Sequence, residues 1–185
     1  MTRIIAGRLR GRRLKVPDEG TRPTSDRVRE AVFNMVEARA DLAGAHVLDL
    51  YAGSGALGLE ALSRGARGAV LVDSARRAVN AIAANIGTCD VADRASVVSR
   101  PVAIYLAGAP SSTFDVVFLD PPYDIDNAAV TSALASLTDG AWLAPESIVI
   151  VERGTRSPDT VWPDGLAVQV EKRYGDTRVE VAARG

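Results

Sequence analysis

The chain has 185 residues, a net charge of −1, 47% hydrophobic and 24% charged residues, and one cysteine. That is enough for one ordinary domain with a full core and a small appendage; the composition is that of a soluble globular protein, and no apolar run is long enough to span a bilayer. Cys89 alone excludes an intrachain disulfide and fits a reducing cytoplasm, the expected location; the opening Met1 to Arg8 has no signal-peptide core, and the lone His46 cannot nucleate a metal site, so no metal is expected.

The average charge hides an asymmetry. Residues 1–30 carry nine basic and four acidic side chains, a net +5 that leaves −6 on the remainder, and the first fifteen hold six basic and no acidic ones. Such a run favours phosphate contacts over a merely solvated face. From Ile4 to Val16 basic and apolar side chains alternate around Gly7 and Gly11, which predicts a short basic β-hairpin with Arg8, Arg10, Arg12, Arg13 and Lys15 as the nucleic-acid contacts. Pro17 to Pro23 reads as a linker; Thr24-Ser25-Asp26 offers helix N-caps ahead of Val28, Val32, Phe33 and Val36 at helical spacing, and Gly44 closes that segment. We expect a basic hairpin extension over residues 1–20 and one α/β domain over 21–185.

From His46 strands alternate with helices. Val47 to Tyr51, Ala69 to Asp73, Ser96 to Val98, Asp115 to Leu119 and Ile148 to Val151 read as strands, and Leu57 to Ser63, the run around Ala78, Val79, Ile82 and Ile86, and about Ala128 to Leu137 as helices. Unbroken apolar strands are buried on both faces, which requires a parallel sheet covered by helices. Leu166 to Tyr174 and Thr177 to Ala183 flank Gly175-Asp176 and close the sheet as an antiparallel hairpin. The expected fold is a Rossmann-like, seven-stranded, mostly parallel sheet with that C-terminal hairpin, preceded by the small N-terminal one.

Two motifs carry chemistry. Gly53-Ser54-Gly55-Ala56-Leu57-Gly58 matches G-x-G-x-x-G between the first strand and helix of the α/β part, with Asp73 twenty residues after Gly53. Glycine turns of this kind serve several nucleotides. Asp49, before the turn, would repel a pyrophosphate and welcome the ammonium and sulfonium charges of S-adenosyl-L-methionine, which we therefore favour over a nicotinamide dinucleotide. Gly53 and Gly55 would let the backbone approach that cofactor, and Asp73 would accept the ribose hydroxyls, unless it merely caps the following helix. The second motif, Asp120-Pro121-Pro122-Tyr123, follows the strand Val116 to Leu119. An exocyclic amine on a base is a poor nucleophile, and a site that methylates it must accept both N–H bonds while aiming the lone pair. Asp120 and the Pro121 carbonyl supply the acceptors, Pro122 stiffens the loop, and Tyr123 stacks on the base.

With both motifs in order on one sheet, the chain resembles a class I S-adenosylmethionine-dependent methyltransferase, and more closely the RsmD family of bacterial 16S ribosomal RNA guanine-N2 methyltransferases. The likeness rests on Ile4-Ile5-Ala6-Gly7 with Arg10-Gly11-Arg12, on Arg22-Pro23-Thr24-Ser25-Asp26-Arg27-Val28-Arg29-Glu30 with Phe33-Asn34, on Ala52 to Gly65, and on Asp120 to Tyr123. It implies a guanine near the P site in the head of the 30S subunit as target, within an assembled or assembling particle, and a protein acting as a monomer without a membrane. It also implies that Thr24, Ser25 and Arg27 lie beside the methionine end of the cofactor, with Tyr51 among the cofactor contacts. Where relatives of the wider class hold the adenine amine with an acid or amide, this chain has Ser99-Arg100-Pro101, so backbone atoms are expected to do so.

The implied reaction is direct methyl transfer to N2 of a base swung out of its stack, driven by positioning and by Asp120 stabilising positive charge on nitrogen. Three rivals stay open: adenine-N6 or protein-glutamine methylation, which use a similar proline-rich loop; a nicotinamide-dependent oxidoreductase on the same glycine turn, which leaves Asp120 to Tyr123 without a task; and an inactive RNA-binding protein that kept the fold.

Overall fold

The structure, a computed structural model, describes residues 2–17 and 24–185. Arg22 and Pro23 of the motif quoted above, and the expected boundary between residues 20 and 21, lie outside the described residues.

The N-terminal hairpin is smaller than the alternation of Ile4 to Val16 predicts. Thr2–Arg3 (β1) pairs antiparallel with Arg13–Leu14 (β2), two residues on each side. Between them the chain turns through Gly7 and Gly11, both with left-handed backbone (φ 79° and 84°). The alternation reflects docking, not a longer ladder. Ile5 and Ala6 donate backbone N–H bonds to the buried Glu60 carboxylate (2.8 and 2.9 Å), and Leu9 donates to Ser63 Oγ (2.9 Å). Any Cβ on Gly7 would lie 2.0 Å from the Ser63 carbonyl oxygen, so the approach requires glycine. Glu60 also meets Arg64 Nε at 3.0 Å, so its buried charge is compensated.

Asp26–Glu37 (α1) starts where Ser25 accepts the Val28 N–H at 3.2 Å, the N-cap that the sequence predicts. Its inner face carries Phe33, fully buried with its ring 5.5 Å from that of Phe118, and this contact fixes the helix across the central sheet. Removing such a ring costs about 3–5 kcal/mol.

The main sheet comprises His46–Leu50 (β3), Gly68–Asp73 (β4), Ala95–Ser99 (β5), Phe114–Leu119 (β6), Leu143–Gly154 (β7), Leu166–Tyr174 (β8) and Thr177–Arg184 (β9). Its order is β5-β4-β3-β6-β7-β9-β8; the first five strands are parallel and β9 is antiparallel to both neighbours. The seven-stranded arrangement is the expected one. Helices Ala56–Ser63 (α2), Arg76–Cys89 (α3), Val102–Leu106 (α4) and Asn127–Asp139 (α5) cover the faces, α4 being a short helix that the sequence pattern does not announce. Side chains alternate across each strand, so Val47 joins Phe33, Leu59 and Ile82 on one face while Leu48 and Leu50 join Leu134 and Leu137 on the other. Strand β7 is longer than the apolar run Ile148 to Val151 because a register shift opposite β6 adds a segment with Glu146 left-handed (φ 60°). No helix among the described residues is long and apolar enough to cross a membrane.

Connections leave β3 and β6 towards opposite edges of the sheet, so the gap between their carboxyl ends is a topological switch point, where open α/β sheets bind ligands.

Candidate active site

A cleft of about 1040 Å³ opens at that switch point, with Tyr51, Gly53, Asp73, Asp120, Tyr123 and Glu152 among the residues that line it. Each sits at or just past the end of a parallel strand, which is why residues far apart in sequence meet there.

On one side lies the glycine turn. Gly53 donates its N–H to Asp73 Oδ2 (2.9 Å), and Asp73 Oδ1 accepts the Ala75 N–H (2.9 Å) ahead of α3. Both readings of Asp73, as a cleft residue and as a support for the helix start, are thus realised at once. Each carboxylate oxygen keeps a lone pair for a hydroxyl of a ligand. Tyr51 holds a left-handed backbone (φ 61°) although it is not glycine, a strain of about 1–3 kcal/mol that turns the chain out of β3 into the cleft. Burial raises the pKa of its phenol.

Asp49 and Gly55 do different work from that expected. Asp49 does not line the cleft: alternation along β3 turns its side chain under α2, where Oδ2 accepts the Gly58 N–H at 2.9 Å and Oδ1 has no partner. Burial first, then the charges of Asp120 and Asp73, raise its pKa well above the ordinary range. Gly55 is the N-cap of α2 with φ 78°, and a Cβ there would strike Leu71 Cδ2 at 2.8 Å, so it serves packing and backbone shape; Gly53 alone of the two lines the cleft.

On the other side lies the Asp-Pro-Pro-Tyr loop. Ile125 N–H closes on the Pro122 carbonyl (3.1 Å). Tyr123 is half exposed, with its ring laid over Gly154, where a Cβ would come within 2.8 Å of the ring. Asp120 keeps an edge open to the cleft but is otherwise enclosed. Thr24 Oγ1 lies 3.3 Å from Asp120 Oδ2 and 3.1 and 3.2 Å from the two oxygens of Glu152. Burial pushes the Asp120 carboxyl up to about 7 and, together with the Asp120 charge, pushes Glu152 up to about 8.

Glu152 is the residue that sequence reasoning missed. Leu119 and Val151 are paired across β6 and β7, so the acids that follow them are neighbours. The signal was available: in both strands an apolar run ends in a carboxylate.

Ser25 lines the cleft while capping α1, but Arg27 is exposed on the outer face of that helix and does not reach it. Two residues further on, Arg29 turns inward and borders the cleft, bonded to Asp26 Oδ1 at 3.0 Å and to the Arg3 carbonyl. Two helical steps, about 200°, put the two arginines on opposite sides of α1. Arg8, Arg10, Arg12, Arg13 and Lys15 all present exposed side chains on the N-terminal segment, with Arg12 reaching the Thr88 carbonyl.

A seven-stranded sheet of this order, with a glycine turn and an Asp-Pro-Pro-Tyr loop facing each other across its switch point, defines the class of S-adenosylmethionine-dependent methyltransferases. The fold matches that of magnesium protoporphyrin IX methyltransferase from Synechocystis PCC 6803, solved with that cofactor bound (TM-score 0.66, 14% identity, 86% of this chain and 79% of that one). The family described as Conserved hypothetical protein 95 matches residues 2–183, and this chain belongs to it. Ribosomal RNA small subunit methyltransferase D of Escherichia coli (strain K12) is 38% identical over 185 residues, covering 98% of this chain and 89% of that protein. The solved structure of yhhF from Escherichia coli superposes with a TM-score of 0.88 at 37% identity, covering 99% of this chain and 97% of that one.

The residues present fit S-adenosylmethionine. Five acidic residues, Asp73, Asp120, Asp124, Glu152 and Asp176, line the cleft beside Arg29, Arg76 and Arg77, with Asp49 behind it, and this excess of acids over bases suits a cationic ligand better than a pyrophosphate.

Proposed function

We propose that this protein methylates the exocyclic N2 amine of a guanine in small-subunit ribosomal RNA. The observation that carries the reading is the acceptor at the switch point: the Asp120 carboxylate just past the end of β6, at the head of the Pro-Pro loop, in one cleft with the glycine turn and Asp73. Gly53, Asp73, Tyr51 and Ser25 would hold the cofactor, which supplies an electrophilic methyl group on a cationic sulfur. Asp120 would accept an N–H of the amine and so raise electron density on its nitrogen, and the Pro121 carbonyl would take the other. Tyr123, fixed over Gly154, would stack on a base that has left its helix. The exposed basic segment from Arg8 to Lys15 would bind phosphates beside the cleft, and the target would be an assembled or assembling 30S particle in the cytoplasm.

The experiment is methylation of small subunits from a strain lacking this protein, with the product nucleotide identified by mass spectrometry. We expect one N2-methylguanine at a single position of 16S ribosomal RNA. An N6-methyladenine, or no RNA product with tight nicotinamide dinucleotide binding, would refute the assignment.

A further inference from the structure

Beside Asp120 lies a second acid, Glu152, that the proposed methyl transfer does not use. Glu152 is 7% exposed, lines the same cleft and, among the described residues, shares with Asp120 a single hydroxyl donor, Thr24 Oγ1. One hydroxyl has one proton for three carboxylate oxygens within 3.3 Å, and near neutral pH the pair makes up the shortfall by retaining a proton of its own, which an arriving N–H donor would displace. A buried acceptor pair short of donors is completed by a ligand that brings N–H groups side by side.

The amino bases differ in what stands next to the amine. Adenine flanks its amine with ring positions that bear no hydrogen on nitrogen, and N3 beside the cytosine amine is likewise an acceptor. Guanine alone places a ring N–H, at N1, beside its amine. A second carboxylate next to the one that grips the amine would meet a lone pair on the wrong base and a donor on the right one.

We infer that Glu152 determines base specificity, its carboxylate accepting the guanine N1–H while Asp120 holds the N2 amine. The inference rests on the proposed guanine-N2 reading and deepens it. Adjacent register across β6 and β7 sets the two carboxylates side by side, and Thr24 holds both in one orientation.

The test uses small subunits reconstituted with 16S ribosomal RNA that carries 2-aminopurine at the methylated position. That base keeps the amine and replaces N1–H by a lone pair. Wild-type protein should prefer guanine by about 10²-fold in kcat/KM. Glu152→Gln, whose amide can donate to that lone pair, should lose about 10²-fold on guanine and bring the two substrates within about threefold of each other. Cofactor affinity, measured by calorimetry, should stay within about threefold of wild type, since Glu152 sits on the acceptor side. Glu152→Asp should retain the guanine preference at reduced rate. Wild-type protein that methylates both bases equally overturns the inference, and so does a Glu152→Gln variant with unchanged discrimination, whatever its rate. The wild-type comparison stands even if the variant does not fold. Wild-type protein inert on guanine in the small subunit would instead strike down the functional reading beneath it.

Discussion

The two halves of the cleft treat their carboxylates in opposite ways. In the glycine-turn half, Asp73 spends one lone pair of each oxygen on a backbone N–H, and Asp49 accepts another from Gly58, so loop, helix start and strand end are tied together before any ligand arrives. In the Asp-Pro-Pro-Tyr half, Asp120 and Glu152 divide one threonine hydroxyl, and burial drives both pKa values up. The first half is tied to backbone N–H groups, with Asp49 Oδ1 left over; the second shares one hydroxyl and, on the proposed reading, would gain donors from an amine. On the proposed function, binding of the cofactor and reaction at a base would therefore depend on different residues although they share one cavity.

This contrast breaks most sharply at Asp120. Asp120→Ala should lower kcat roughly 10³-fold while the dissociation constant for S-adenosylmethionine, read by calorimetry, stays within about threefold. An active variant would remove Asp120 from the chemistry. At Asp73 the opposite pattern is expected: Asp73→Ala should weaken cofactor binding about 10–100-fold, through lost ligand contacts and a loosened Gly53 turn, with a much smaller change in kcat at saturating cofactor. Equal losses in both quantities for both variants would mean that the halves are not separable.

A smaller effect concerns pH. In the unfolded chain Asp120 and Glu152 release protons in the ordinary carboxylate range, whereas the folded protein holds them to about 7 and about 8. Between those limits the folded state binds more protons, so these groups make stability fall as pH rises from about 4 to about 8. Thr24 opposes the shift in both groups, and Asp49 faces Asp120 from β3 with its own carboxyl raised by burial and by that charge. Glu152→Gln should consequently raise Tm by about 2–5 °C at pH 8.5 and leave it nearly unchanged at pH 5. Thermal melts at the two pH values measure it, and the same shift at both would assign the effect to packing.

The sequence by itself determined the sheet, the order of its strands' roles and the loops that face the cleft, because buried parallel strands must be apolar and their ends are marked by glycine, proline and acid. It offered Thr24 to Asp26 as N-caps, of which Ser25 serves, and placed the C-terminal hairpin at Gly175-Asp176 for the same local reasons. Only the tertiary structure decided which way side chains turn. Asp49 lies under α2 and not in the cleft because its strand alternates; Arg29 and not Arg27 turns inward because a helix advances 100° per residue; Gly55 is glycine because Leu71 crowds it. The Thr24–Asp120–Glu152 cluster needs three elements from opposite ends of the chain to meet across a register. No local pattern encodes that meeting, since the pairing of β6 with β7 is a property of the folded sheet.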